Sequence, residues 1–332
     1  MNNMTSLAVI IPAYNAEATL EACLRGLAAS TRRPDEIILF NDGATDGTVA
    51  IAERHGVRVI TGEKRAQGPA VGRNIAAHNT DADLLIFVDA DVEVHPASIG
   101  ILETALKSGP DVAAAFGSYD DAPQSRRIAA LYANLRHHHY HQHSKREAST
   151  FWSGFGAIWR KDFLEAGGFD HAYSRPSIED IDLGVRLRKA NKKILLAPEA
   201  LAKHCKDWGL IQLWRTDIFS RAIPWSRLIA GQETDGADLN TSARERIVAV
   251  IAHSIWLFAI ASLFAPAALV ALAAAVAAFV LANWKFFRLL ARSGGPALAI
   301  AGVFLHWLYY LYSSVIFVLV RLSHQKGRPY GV

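Results

Sequence analysis

The chain has 332 residues, 51% hydrophobic and 20% charged, enough for one large or two ordinary domains with a sizeable buried core. That excludes a short peptide or a disulfide-stapled miniprotein, and two cysteines, Cys23 and Cys205, supply neither a disulfide framework nor CxxC metal spacing, so a reducing compartment is the default. The net charge of +4 is uneven: residues 1–246 hold all 31 Asp and Glu against 29 Lys and Arg, while the remainder holds six Lys and Arg and no acid, so the basicity gives no support for nucleic-acid binding.

Met1–Ser6 lacks the basic flank and long apolar core of a signal peptide, so the expectation is that everything before the tail stays on the side where it is made, the cytoplasmic face. The apolar run Leu7–Ile11 reads as a buried strand, Ala16–Ala29 as an amphipathic helix capped by Asn15, and Glu36–Phe40 as a second strand. Thr48–His55 predicts a helix closed by Gly56, Val57–Ile60 a strand, Pro69–His78 a helix with proline at its start, and Leu84–Val88 a strand. This alternation predicts an α/β, doubly wound, mostly parallel sheet, in which ligands bind beyond the carboxyl ends of the strands. No GxGxxG follows the first strand, which disfavours a dinucleotide-binding domain.

The run Arg136–His143 contains five histidines on one predicted helix, and with no Cys or carboxylate spaced to close a metal site it reads as a solvated or membrane-facing basic helix. Phe151–Arg160 mixes glycines with aromatics and reads either as a wall that a sugar can approach closely or as a buried strand with a bulge. Residues 216–246 set Phe219, Trp225 and Leu228 among arginines and suit an interfacial connector or a plain surface helix. From Ile247 to Trp284 there are 38 residues without a formal charge, and from Ala297 to Val320 another 24. The first run is nearly twice the length that crosses a hydrocarbon core of about 30 Å, so a fold-back near Ala265-Pro266 is expected, with two or three spans in all and a multi-pass membrane placement. Trp256, Trp284, Trp307, Tyr309, Tyr310 and Tyr312 would then form aromatic belts.

Polar motifs stand at the predicted strand ends: Pro12-Ala13-Tyr14-Asn15 after the first, Asn41 to Thr48 after the second, and Asp89-Ala90-Asp91 after the fourth. Together with Gly68 to Asn74, Gly167-Gly168-Phe169-Asp170 and Glu179-Asp180-Ile181-Asp182, in that order, they resemble the inverting family 2 glycosyltransferases of GT-A fold over roughly residues 5–215. The resemblance implies a GT-A domain at 1–215, a connector at 216–246 and a transmembrane region at 247–332. It implies a nucleotide-sugar donor held by Pro12, Tyr14, Asp42, Arg73 and Asp89, with Tyr14 against the base and Asp89 facing the ribose. A divalent metal, Mn²⁺ or Mg²⁺, would be held by Asp91 and by His204, the latter equally readable as a structural histidine. Glu179 and Asp180 supply the catalytic acidic pair, Asp180 being the candidate base that takes a proton from the acceptor hydroxyl, with helix capping as the alternative. Gln212 to Thr216 resembles the QxxRW motif of processive members, but Thr216 stands where Trp is expected, which favours transfer of one or a few sugars. An acceptor with a lipid part is expected from the membrane tail. Alternatives are a polyprenyl-phosphate glycosyl synthase and a non-catalytic membrane scaffold.

Overall fold

The computed structural model describes residues 5–63, 66–173, 175–231 and 242–324. Residues 232–241 of the expected connector and the end of the expected transmembrane region beyond residue 324 lie outside the described residues. Two compact units result, one formed by residues up to Ser125 with His141–Asp207, the other by Arg126–Tyr140 with the chain from Trp208 onward. The segment 126–140, inside the stretch expected as a single catalytic domain, thus groups with the C-terminal half.

The first unit follows the predicted alternation: β1 (Leu7–Ala13), α1 (Glu17–Ala28), β2 (Glu36–Asn41), α2 (Thr48–Arg54), β3 (Arg58–Thr61), α3 (Pro69–His78) and β4 (Leu84–Val88). Leu7, Val9, Ile11 and Ala13 of β1 enter one core with Leu20 and Leu24 of α1, while Ala8 and Ile10 enter a second core with Ala70 and Ala76 of α3. Helices cover both faces of the sheet, so β1 reads as an unbroken apolar run rather than an alternating one. After β5 (Val92–Val94), α4 (Ser98–Leu106) and β6 (Val112–Tyr119) come α5 (Ile128–His143), β7 (Glu147–Ala148), β8 (Phe155–Trp159), α6 (Arg160–Glu165), α7 (Glu179–Lys189) and β9 (Lys193–His204). The sheet order is β3-β2-β1-β4-β8-β6-β9-β5, with β7 on β9. Strands β3, β2, β1 and β4 are parallel, β8 runs antiparallel between β4 and β6, and β9 is parallel to β6 and antiparallel to β5.

Some local expectations are corrected. Asn15 does not cap α1; it lies at φ 50° and its Oδ1 accepts the Thr45 N–H at 2.8 Å, tying the loop after β1 to the loop after β2. Strand β9 extends to His204, well beyond Ile194–Ala197, because a register shift in its pairing with β6 carries the ladder past Pro198-Glu199. The histidine run is not solvated throughout: His143 is exposed and His137 to His139 are half-buried, but His141 is buried, with its Nδ1 2.9 Å from the Gly117 carbonyl and its ring packed on Phe116 and Trp152.

In the second unit, α8 (Leu210–Arg215) leads through a π-helix (Thr216–Ala222) to α9 (Ile223–Ala230), and α10 (Ala243–Ala261) turns back into α11 (Ala268–Ala282) near Ala265-Pro266 as expected. Then α12 (Trp284–His324) breaks at Gly295 (φ 79°), before Pro296. Among the described residues, α12 is the one helix long and apolar enough to cross a membrane, over Trp284–Ser323; α11, with 15 residues, spans only about 22 Å. The aromatic-belt reading fails for much of the set. Tyr310 is buried, Tyr312 donates its hydroxyl to Asp217, and Trp307 Nε1 donates to the Ala252 carbonyl at 2.9 Å, so polar tips that would face headgroups find partners inside the bundle.

Candidate active site

Register fixes the site. Ala13 lies beside Asn41 and Ile10 beside Phe87, so the carboxyl ends of β1, β2 and β4 open on one edge of the sheet. The two outer loops are locked reciprocally: Asp46 Oδ2 accepts the Glu17 N–H at 3.0 Å, and Glu17 Oε2 accepts the Gly47 N–H at 2.9 Å. Tyr14 stands at the end of β1, 51% exposed, an aromatic face open to a planar ligand. Pro12 lies inside β1 past the end of its ladder with β4, where a missing N–H is tolerated. Asp42 is buried, and its two carboxylate oxygens accept the N–H groups of Gln67 and Gly68 at 2.8 and 2.9 Å, joining β2 to the start of α3.

Below this rim lies a buried ion cluster. Arg73 on α3 is 3% exposed; its Nη2 donates to Asp89 Oδ1 at 2.5 Å and its Nη1 to Glu179 Oε1 at 3.1 Å. Desolvation works against the guanidinium, but the carboxylates of Asp89, Glu179 and Asp180 outweigh it and hold its pKa above the usual arginine range. The guanidinium therefore spans the acidic loop after β4 and the first turn of α7. Glu179, itself buried, spends its other oxygen on the Ser177 N–H at 2.8 Å, which leaves it a structural bridge. Next to Arg73, Asn74 clamps the motif Gly167-Gly168-Phe169: its Nδ2 donates to the Phe169 carbonyl at 2.7 Å and its Oδ1 accepts the Phe169 N–H at 2.9 Å.

Asp180 is held differently. Its Oδ2 accepts the Ser153 N–H and hydroxyl at 3.0 and 3.2 Å, and its Oδ1 accepts the Ile181 N–H at 2.8 Å. The N-cap residue of α7 is Ile178, which offers no capping side chain, and the Ile181 N–H that Asp180 accepts is one of the unpaired donors of the helix's first turn, so the carboxylate satisfies a helix end as well as holding Ser153. Burial, then the neighbouring Glu179 charge, push its pKa up to about 6, against the pull of the Ser153 N–H and Arg73. A carboxyl tuned toward neutrality can accept and release a proton near physiological pH.

The third cluster comes from pairing that no short motif reveals. Antiparallel β5 and β9 put Val92 opposite His204, and the Cys205 N–H donates to the Asp91 carbonyl at 2.8 Å. His204 is buried, stacked on Tyr119 at 4.3 Å, with Nε2 3.9 Å from Asp91 Oδ1. Two donors on one divalent ion, with bonds of about 2.0–2.6 Å, stand about 3–4 Å apart, a spacing this pair matches, while among the described residues no group of three metal-ligating side chains gathers, so any ion would need a ligand's phosphates to complete its shell. Lys206, missed in the sequence, brings Nζ to 3.4 Å from Asp91 Oδ2. Ser153 was also missed as a site residue, although it lies within the glycine–aromatic run. Within that run Phe155–Trp159 is the buried strand β8, where a Cβ on Gly156 would stand 2.3 Å from the Trp152 carbonyl oxygen and 2.6 Å from the Phe151 ring, so Gly156 makes room for the protein's own chain.

The family model of glycosyl transferase family 2 matches residues 8–168. The chain is 38% identical over 119 residues to an uncharacterized glycosyltransferase, YibD, of Escherichia coli, covering 34% of each chain. It is 29% identical over 234 residues to the N-acetylglucosaminyl-diphospho-decaprenol L-rhamnosyltransferase of Mycobacterium tuberculosis, covering 60% of this chain and 76% of that one. The chain thus spans about a third of the first relative and three quarters of the second. Among solved structures, the mannosyltransferase PcManGT of Pyrobaculum calidifontis in complex with GDP-Man and Mn²⁺ superposes with a TM-score of 0.55 at 20% identity, over 97% of this chain and 88% of that one, a likeness of fold.

Proposed function

We propose that this chain, a member of glycosyl transferase family 2 through residues 8–168, transfers a glycosyl group from a nucleoside-diphosphate sugar to an acceptor hydroxyl with inversion at the anomeric carbon. The observation that carries the reading is Asp180: a half-buried carboxyl with a pKa of about 6, oriented by Ser153 and Ile181 and joined through Glu179 and Arg73 to the acidic loop after β4. In this reading Tyr14 stacks on the base and Asp42 and Asp89 orient the nucleoside. Asp180 takes the proton as the acceptor oxygen attacks the anomeric carbon from the face opposite the departing diphosphate. A divalent cation, held by Asp91 and His204, would neutralise charge on the diphosphate. Arg73, buried and committed to two carboxylates, acts as a positioning residue rather than by touching the nucleotide.

A lipid-linked acceptor is supported by the membrane-crossing length of α12 and by the diphospho-decaprenol acceptor in the name of the mycobacterial relative. The catalytic part would lie on the cytoplasmic face.

The test is full-length protein in detergent, given a panel of nucleotide sugars with Mn²⁺, Mg²⁺ or excess chelator, followed by Asp180→Asn with the donor so identified. The raised pKa means that ionising Asp180 between about pH 4 and 6 costs the folded state stability, a cost that Asn removes; the Asn oxygen keeps one of the two N–H contacts and its NH2 loses the other, about 1 kcal/mol, so the variant should fold. Single-turnover transfer to a hydroxyl acceptor should fall about 10²–10⁴-fold with donor affinity unchanged. Unchanged transfer would refute the base role and point to a phosphate acceptor that supplies its own anion; full activity in chelator would refute the metal.

A further inference from the structure

The C-terminal unit contains a buried charge cluster that the transfer chemistry does not use. Arg136, on α5, is 6% exposed, and its Nη2 donates to Oδ1 of Asp217, on the π-helix, at 2.7 Å. The same oxygen accepts Arg221 Nη1 at 3.2 Å, and Asp217 Oδ2 accepts the Tyr312 hydroxyl at 2.8 Å. Two guanidinium groups therefore share one carboxylate whose oxygens are both occupied, Arg136 from the buried side and Arg221 from the solvent-exposed side.

Among the described residues, no other acid of the unit joins this pair. Asp217 and Glu245 are the only acids among its described residues, and Glu245 is taken by Arg244 and by the hydroxyls of Tyr310 and Tyr140. Arg136 also keeps Nη1 buried without a hydrogen-bond partner. The rings of Tyr309 and Tyr132, 4.4 and 5.2 Å from its guanidinium carbon, offer cation–π attraction but no acceptor in the plane of that N–H. A buried guanidinium N–H without an acceptor is costly, and an anion that met it would be bound strongly. The π-helix that presents Asp217 and Arg221 is itself a rare conformation, met mostly at functional sites.

We propose that Arg136 and Arg221 form a binding site for a phosphate group. A guanidinium fork matches phosphate oxygens with two parallel hydrogen bonds. Arg221, whose side chain is 48% exposed, gives the anion access from solvent or from a lipid headgroup layer. In a unit that holds the membrane-crossing helix, the phosphate of an amphiphile is the anion at hand, and free inorganic phosphate carries the same chemistry. This site belongs to a different unit from Asp180 and does not depend on the transfer reading.

The experiment uses full-length protein in neutral detergent, titrated in separate arms with phosphatidic acid in mixed micelles and with inorganic phosphate, reading bound ligand by native mass spectrometry and melting temperature. Losing one charge-assisted contact should weaken binding about 10- to 100-fold in Arg221→Gln, and Arg136→Lys, which keeps the charge beside Asp217 but loses the fork, should weaken it comparably. Saturable binding of phosphatidic acid alone, weakened by either variant, identifies a lipid phosphate; binding of inorganic phosphate with the same sensitivity identifies a free-anion site, and both support the proposal. No binding in either arm, or binding unchanged in folded Arg221→Gln, overturns it, and Arg221→Gln decides alone if Arg136→Lys does not fold.

Discussion

Arg73→Gln isolates what the buried cluster contributes. The amide is polar but uncharged, so Asp89 and Glu179 lose the cation between them. Breaking one side of a buried ion pair costs about 3–5 kcal/mol; Glu179 is 6% exposed at its side chain and bears this in full, whereas Asp89 at 37% is softened by water, which favours about 3 kcal/mol. For a unit of this size that lowers the melting temperature by roughly 6–12 °C. The variant has a second signature that mere destabilisation lacks. The Arg73 charge holds the Asp180 carboxyl down, so its removal lets that pKa climb above about 6. Because the base works deprotonated, the acid limb of kcat moves to higher pH, and the loss is greater at pH 6 than at pH 8. Thermal unfolding and a pH–rate profile measure the two effects. An unshifted limb together with an unchanged melting temperature would show that Arg73 is neither the bridge nor an influence on Asp180.

Gly156→Ala places a methyl 2.3 Å from the Trp152 carbonyl inside the sheet, and overpacking of that kind costs about 1–3 kcal/mol by denaturant unfolding, with no change expected in donor affinity per folded molecule. Tyr14→Ala removes a half-exposed ring that fills no core, so stability should hold within about 0.5 kcal/mol while donor affinity by calorimetry weakens about 5-fold or more; equal affinity would remove Tyr14 from the site.

The catalytic unit was legible where its chemistry is local in sequence. Buried parallel strands announce themselves as apolar runs, and helix α3 begins at the Pro69 that marks it and ends at His78 as expected. Asp42, Asp89 and Asp91 stand at strand ends because a strand must stop before its loop can present a carboxylate. What escaped were contacts made by pairing across the chain. His204 meets Asp91 only because β5 and β9 are antiparallel, and Ser153 meets Asp180 across 27 residues with no pattern linking them. Glycines left two readings open for a related reason: a small residue beside aromatics signals close approach without naming what approaches, and at Gly156 in β8 it is the protein's own Trp152 and Phe151.

In the C-terminal unit composition marked the apolar helices but not the partners of their polar groups. The apolar runs became helices, one of them, over Trp284–Ser323, long and apolar enough to cross a membrane, and Pro266 marked the turn between α10 and α11. The same composition made Tyr309, Tyr310 and Tyr312 look like headgroup anchors, since a tyrosine at the end of an apolar run is amphipathic wherever it points. Its direction is decided by whether a polar tip can be satisfied inside, and that depends on Glu245 and Asp217, 65 and 95 residues away from Tyr310 and Tyr312 in the chain. Once those two acids are buried, hydroxyls and guanidinium groups must follow them inward to satisfy their charge. A lone acid just before a charge-free run is therefore better read as the nucleus of an internal network than as the last residue of a soluble domain.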